Sequence, residues 1–233
     1  MRKTLFVGHS HIVALRNAHA KACGGPEREF VWVNQPEFQP VMQDATLNPA
    51  ILARIEAARA DLHVSLFGGN DHSVICVLND ARRYDVVLPE APDLFVDETA
   101  EILPAGLLLA ELKRRVTPHL NELAAFRAVV QGRMVHPESP PPIPSAEFLE
   151  AHAGDFKALM KERGFAPALF RYKVWRLHSR LYRAACDQLG IEFLPVPPEM
   201  QDEQGMMVPR AWNHDPTHGN ALYGQHVLAG IAA

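Results

Sequence analysis

The sequence predicts an α/β fold: a parallel sheet with helices on both faces. Three observations lead there. Short apolar, β-branched runs alternate with stretches whose apolar residues recur at helical spacing. Two of those runs, "TLFVG" and "DLHVSLFGGND", stop at glycine. The chain has 233 residues, 48% hydrophobic and 21% charged, which suits one such domain over 1–233. Alternation of strand and helix pairs the strands in parallel, because each crossover helix must lie on a sheet face.

The elements follow in order. "TLFVG" reads as a buried strand. From Ser10 to Ala22 the spacing is helical, with Ile12, Leu15, His19 and Ala22 on one face. "EFVWVNQ" is a second strand, aromatic and β-branched. Asn48 followed by Pro49 marks a helix start, an N-cap and a first-turn proline, and the helix runs through Ile51, Leu52, Ile55 and Ala58. "DLHVSLFGGND" is a third strand. Over 72–104 the pattern is less regular; "VICVL" and "YDVVLP" flanking "NDARR" predict a hairpin, and this stretch has the character of an insertion.

A helix then carries Leu107, Leu108, Leu112, Val116, Leu120, Leu123 and Phe126, with a kink or split expected at Pro118. "FRAVVQG" is the expected fourth strand, and "HPESPPPIP" a stiff rim loop. From Ala168 to Leu189, Phe170, Val174, Leu177, Leu181 and Ala185 repeat with helical period, and Arg171, Arg176, Arg180 and Arg183 fall mainly on other faces. "IEFLPV" is the fifth strand. The last helix begins near Asn220 and runs through Leu222, Val227 and Ile231.

Composition narrows the function. The net charge is −4, and no basic stripe or arginine-rich tract appears, so nucleic acid is not an expected partner. No apolar run is long enough to span a membrane. The N-terminal stretch imitates a secretion signal, but His9, Ser10 and His11 interrupt its apolar part. Cys23, Cys76 and Cys186 form no paired motif, so reduced thiols and a cytoplasmic setting are expected. Nothing in the sequence signals an oligomeric state.

In parallel α/β sheets, ligands bind beyond the carboxyl ends of the strands. Three chemically capable segments fall there: "GHS" after the first strand, "GGND" after the third, and "HDPTHGN" before the last helix. Ser10 sits at a strand-to-helix turn made tight by Gly8. A serine hydroxyl needs an adjacent base, and His218 is the candidate. Asp215, three residues earlier, would fix its tautomer and stabilise the imidazolium. Asn70 would donate to a developing oxyanion beside the Ser10 N–H.

These segments resemble the SGNH (GDSL-type) hydrolase superfamily. "DPTHGNALYGQHVLAG" is similar to that family's last block, and "LFGGND" to its Gly-x-Asn-Asp block. The resemblance runs from Thr4 to about Ile231 and fits least well over 72–104. It implies a three-layer α/β/α sandwich on a flavodoxin-like five-stranded parallel sheet. It implies hydrolysis of a carboxylic ester, a short acyl or O-acyl-sugar ester on a small molecule or glycan, through an acyl-enzyme. Ser10 matches the nucleophile, Asn70 an oxyanion donor, and Asp215 and His218 the rest of the triad; Gly69 belongs to the oxyanion turn. No cofactor and no metal are implied. Two positions depart from the family: His9 stands where it usually has aspartate, and "VNQPEFQP" lacks its glycine after the second strand. The Gln35 N–H is a candidate replacement donor; Pro36 has none.

Asp71 is expected to bond loop backbone. His9, His11, His72 and His214 flank the catalytic positions and are expected as pocket walls. Trp212 and Tyr223 are expected in the core. Two other functions stay open for the same residues. "GHSH", "NDH" and "HDPTH" hold enough histidines and carboxylates for a metal-dependent hydrolase. A non-catalytic module that binds a glycan or acyl group is the other.

Overall fold

The structure, a computed structural model, describes residues 3–22 and 27–232. The chain runs β1 (Thr4–Gly8), α1 (Ile12–Lys21), β2 (Arg28–Trp32), β3 (Met42–Gln43), β4 (Thr46–Leu47), α2 (Pro49–Ala58), β5 (Leu62–Leu66) and α3 (Asp71–Cys76). It continues through β6 (Tyr84–Val86), β7 (Glu101–Leu103), α4 (Ala105–Val129), β8 (Arg133–Pro137), α5 (Ala146–Ala151), α6 (Lys157–Arg163), α7 (Ala168–Leu189), β9 (Glu192–Leu194) and α8 (Ala221–Ala232).

Five strands form the main sheet in the order β2-β1-β5-β8-β9, all parallel. Renumbered along the sheet's own strands this is 2-1-3-4-5, the flavodoxin-like order. Alternation along β1 separates the two cores. Leu5 and Val7 pack with Ile51 and Ile55 of α2, Leu123 and Phe126 of α4, and Cys186 of α7. Phe6 packs with Ile12 and Leu15 of α1 and Val227, Leu228 and Ile231 of α8. Helices therefore cover both faces. Gly224 lets α8 lie directly on α1, since a Cβ there would stand 2.3 Å from the Ala14 carbonyl oxygen.

Most predicted elements stand where expected. The Asn48 side chain caps α2 by accepting the Ala50 N–H at 2.8 Å. Five expectations are corrected. No hairpin forms over 72–104: "DHSVIC" is the helix α3, and β6 pairs in parallel with β7. A short apolar run has no period of its own, and here His72 and Cys76, one turn apart, face inward. Val86, Leu88, Leu108, Leu112, Val174 and Leu177 join Cys76 in a satellite core against α4 and α7.

Pro118 does not split α4, which is one helix of 25 residues. Pro118 and Arg114, one turn apart, both lie on the exposed face of the helix. The fourth strand is "RMVHP", not "FRAVVQG". Phe126 continues the buried helical row of Leu112, Val116 and Leu123, and Gly132, at φ +79°, turns the chain into β8. The proline loop is no rim: Pro140, Pro141, Pro142 and Ile143 are buried.

The charges on α7 are the last correction. Arg171 is buried and donates to the carbonyls of Ala166, Ile143 and Pro144. Lys173 is fully buried, its Nζ 2.8 Å from both Asp85 Oδ1 and the Phe95 carbonyl. Cys76 and Cys186 are buried free thiols, each pushed up to about 12 by burial. The expectation for Cys23 lies outside the described residues. No helix among the described residues is long and apolar enough to cross a membrane.

Candidate active site

The site lies beyond the carboxyl ends of β1 and β5. Gly8 ends β1 against β5, where a Cβ would stand 2.4 Å from the Leu66 carbonyl. The chain then turns through His9 and Ser10 into α1. After β5 it turns through Gly68 and Gly69 at φ +74° and +109°, conformations that favour glycine. There is also no room for side chains: a Cβ at Gly68 would meet Tyr182 Oη at 1.9 Å, and one at Gly69 the His11 ring at 2.4 Å. Asn70 follows. The loop before α8 delivers the third segment, closed at its base by a bridge between Trp212 and Gly219.

Ser10, His218 and Asp215 form a continuous relay. Ser10 Oγ is 2.7 Å from His218 Nε2, and His218 Nδ1 is 2.8 Å from Asp215 Oδ1. A carboxylate only accepts, so Nδ1 carries the proton and Nε2 presents its lone pair to the serine hydroxyl. Asp215 also accepts the backbone N–H groups of Thr217 and His218, each at 2.9 Å, and the Asn213 amide at 2.6 Å. Burial would push its carboxyl up. The His218 hydrogen bond and charge, with the Thr217 and Asn213 bonds, outweigh burial and hold it well below the usual carboxylate range. Asn70 Nδ2 lies 3.4 Å from His218 Nε2, at the serine end of the relay.

The candidate replacement donor fails. The Gln35 N–H donates to the Trp32 carbonyl at 3.2 Å and closes a turn. The expected wall residues divide. His11 is buried, its ring centre 4.8 Å from that of His218, and burial together with the His218 charge takes it down to about 3. His72 is buried against His178, ring centres 4.9 Å apart. His214 stacks towards His152 at 5.4 Å and lines a separate surface hollow with Asn17 and Trp212. Tyr223 is in the core as expected; Trp212 is partly buried, its indole N–H bonded to the Met207 carbonyl. Asp71, expected to bond loop backbone, faces His119 and His178 at 3.8 and 3.9 Å.

Sequence reasoning missed four residues. Asn213 and Thr217 flank the Asp-x-x-His pair, and an Asx turn at Asp215-Pro216-Thr217 was a readable signal. His119 and Glu122 of α4 had none, since only the fold brings them to Ser10's neighbour. His9 Nδ1 accepts the Gly68 N–H at 2.9 Å, and its Nε2 lies 3.7 Å from Glu122 Oε2. His119 Nδ1 is 3.0 Å from the same oxygen.

That trio, with ligand-type atoms within 4.8 Å of one another, contains only His9 of the histidines in the expected metal cluster. His9 is a poor ligand as it stands. A neutral imidazole whose Nδ1 accepts a hydrogen bond carries its proton on Nε2, the atom facing the trio. A cleft of about 360 Å³ opens beside the relay, bounded by Asn70, Ser73, Val74, Phe156, Pro216 and His218.

No protein-family model and no curated protein matches the chain. Solved structures align with most of the chain. The lipopolysaccharide acetyltransferase periplasmic domain of Salmonella ser. Paratyphi A is 10% identical, over 100% of this chain and 83% of that one, with a TM-score of 0.48. A carbohydrate acetylesterase from Sinorhizobium meliloti is 14% identical, over 99% and 96%, at 0.43. A GDSL-like lipase from Bacteroides thetaiotaomicron is 12% identical, over 99% and 88%, at 0.43.

Proposed function

We propose that this protein is an SGNH-type serine hydrolase of carboxylic esters, acting on a short acyl or O-acyl-sugar ester. The observation that carries this reading is the unbroken relay from Ser10 Oγ through His218 to Asp215, at 2.7 and 2.8 Å. A serine hydroxyl hydrogen-bonded to the free lone pair of an oriented imidazole is the arrangement that general-base activation requires.

The steps follow from it. Ser10 Oγ attacks the ester carbonyl carbon while His218 Nε2 takes its proton. Negative charge develops on the carbonyl oxygen, and the Asn70 amide and the Ser10 N–H receive it. Asp215 stabilises the imidazolium and keeps its ring in place. His218 then gives the proton to the leaving alcohol, and the acyl group stays on Ser10. Water, deprotonated by His218, releases the acid and restores the hydroxyl.

The direct test is turnover of a panel of p-nitrophenyl esters from acetate to octanoate. The reading expects hydrolysis of short esters by wild type and loss of about 10⁴-fold or more in kcat for Ser10→Ala. Equal rates in the two proteins would sink it.

A further inference from the structure

We propose that one turn of α4, carrying His119 and Glu122, positions both halves of the oxyanion hole. It reaches Ser10 through the preceding His9 and Asn70 through the following Asp71. This rests on the serine-hydrolase reading of the same site and adds positioning residues from a helix that carries none of the relay.

The geometry is a convergence. The residue before Ser10 and the residue after Asn70 both point at the same helical turn. His9 Nε2 lies 3.7 Å from Glu122 Oε2, and Asp71 Oδ1 lies 3.8 Å from His119 Nε2. His119 Nδ1 closes the circuit at 3.0 Å from Glu122 Oε2. His9 also fastens the two turns together, since its Nδ1 accepts the Gly68 N–H at 2.9 Å. Gly68 and Gly69 lead directly into Asn70, so the His9 bond reaches the Asn70 donor along the backbone. His119 packs against this turn as well, its Cβ 3.1 Å from where a Gly68 side chain would begin.

The charges support a clamp rather than a metal centre. Burial opposes charge on His119, but the Glu122 hydrogen bond and the nearby Asp71 and Glu122 carboxylates outweigh it and raise its pKa above the ordinary 6.5. His9 is lowered, by burial first and by the His119 charge, against the pull of Glu122 and Asp71. A cationic His119 then lies between the Glu122 and Asp71 carboxylates, beside a neutral His9. The groups facing His119 are Glu122 from α4, Asp71 from α3 and His9 from the turn after β1; His178 of α7 faces Asp71 from the far side. When His119 loses its proton, Asp71 and Glu122 face each other without a cation between them. Asp71 is then held from the His178 side alone, and Asn70 shifts with it.

The experiment has one arm that needs no activity. In the wild-type protein, the His119 ring and the amides of Gly68 and Asn70 are followed by NMR from pH 5 to 9. The proposal expects the Gly68 backbone and Asn70 side-chain amides to shift with the midpoint of His119. A titrating His119 beside silent amides would overturn it, whether or not the protein hydrolyses esters.

The second arm is kinetic. His119→Gln is expected to lower kcat about 10- to 100-fold with KM within about twofold, and to abolish an alkaline fall in kcat present in wild type. His119→Lys is expected to recover part of kcat and carry it to higher pH. Wild-type kcat and an unaltered alkaline limb in folded His119→Gln would overturn the proposal. Absence of any wild-type turnover would instead remove the hydrolase reading and leave the NMR arm to decide.

Discussion

Ser10 Oγ and His218 Nε2 meet at 2.7 Å although 208 residues separate them in the chain. The contact follows from how the two ends of the fold pack. Ser10 leads into α1, the His218 loop leads into α8, and α1 and α8 lie against each other across Gly224 and Ala14. The same packing that buries Ile12, Leu15, Val227 and Ile231 thus brings serine and imidazole together.

Asn70 donates at the serine end of the relay, and its removal should act on the transition state more than on binding. Asn70→Ala is expected to lower kcat by about 10²–10³ with little change in KM. Steady-state kinetics on a short acyl ester check this. An unchanged kcat would take Asn70 out of the oxyanion hole.

Gly69 cannot accept a side chain. Its φ is +109°, and a Cβ would stand 2.4 Å from the buried His11 ring. Gly69→Ala should cost roughly 1–3 kcal/mol through backbone strain alone and displace Asn70 as well. Urea unfolding and ester turnover should therefore both suffer. A variant as stable and as active as wild type would contradict the tight turn.

Lys173 and Asp85 form an ion pair in the satellite core, with Lys173 at 0% exposure. Breaking it leaves a buried charge without its partner. Lys173→Ala is expected to destabilise by about 3–5 kcal/mol, read as a lowered urea midpoint. A change under about 1 kcal/mol would place Lys173 in contact with water rather than in the core.

Several histidines are folded as neutral rings, and this gives stability a pH slope. Burial lowers His11 and His136 to about 3, against 6.5 for an ordinary histidine. Between those values the unfolded chain binds protons that the folded rings refuse, so stability falls as pH falls. At pH 5 each such ring costs on the order of 2 kcal/mol. His119 has the opposite sign: its raised pKa contributes stability below 6.5 that is lost as pH rises through the folded value. Urea midpoints should drop clearly from pH 7 to pH 5. Equal midpoints at the two would contradict buried neutral rings.

What was legible in the sequence was what local chemistry determines. Asn48-Pro49 announced a helix because cap and first-turn proline act within a few residues, and α2 starts there. Asp215 and His218 were readable as a pair because one loop carries both. The boundary between α4 and β8 was not, because Phe126, Val129 and Val130 suit a helix row as well as a strand and only burial decides. Arg171 was placed among the outward charges of its helix, yet carbonyls gathered by the fold satisfy it inside, as Asp85 does the neighbouring Lys173. His119 and Glu122 lie far from the catalytic blocks in sequence, and only the stacking of α4 against the sheet brings them to His9.

The central claim is that Ser10 is activated by His218. The most direct measurement is intact-mass detection of fluorophosphonate labelling on wild type, Ser10→Ala and His218→Ala. One adduct on wild type and none on either variant is the expected result. Folded wild type that takes no adduct, or a Ser10→Ala variant that labels as fast as wild type, would contradict it.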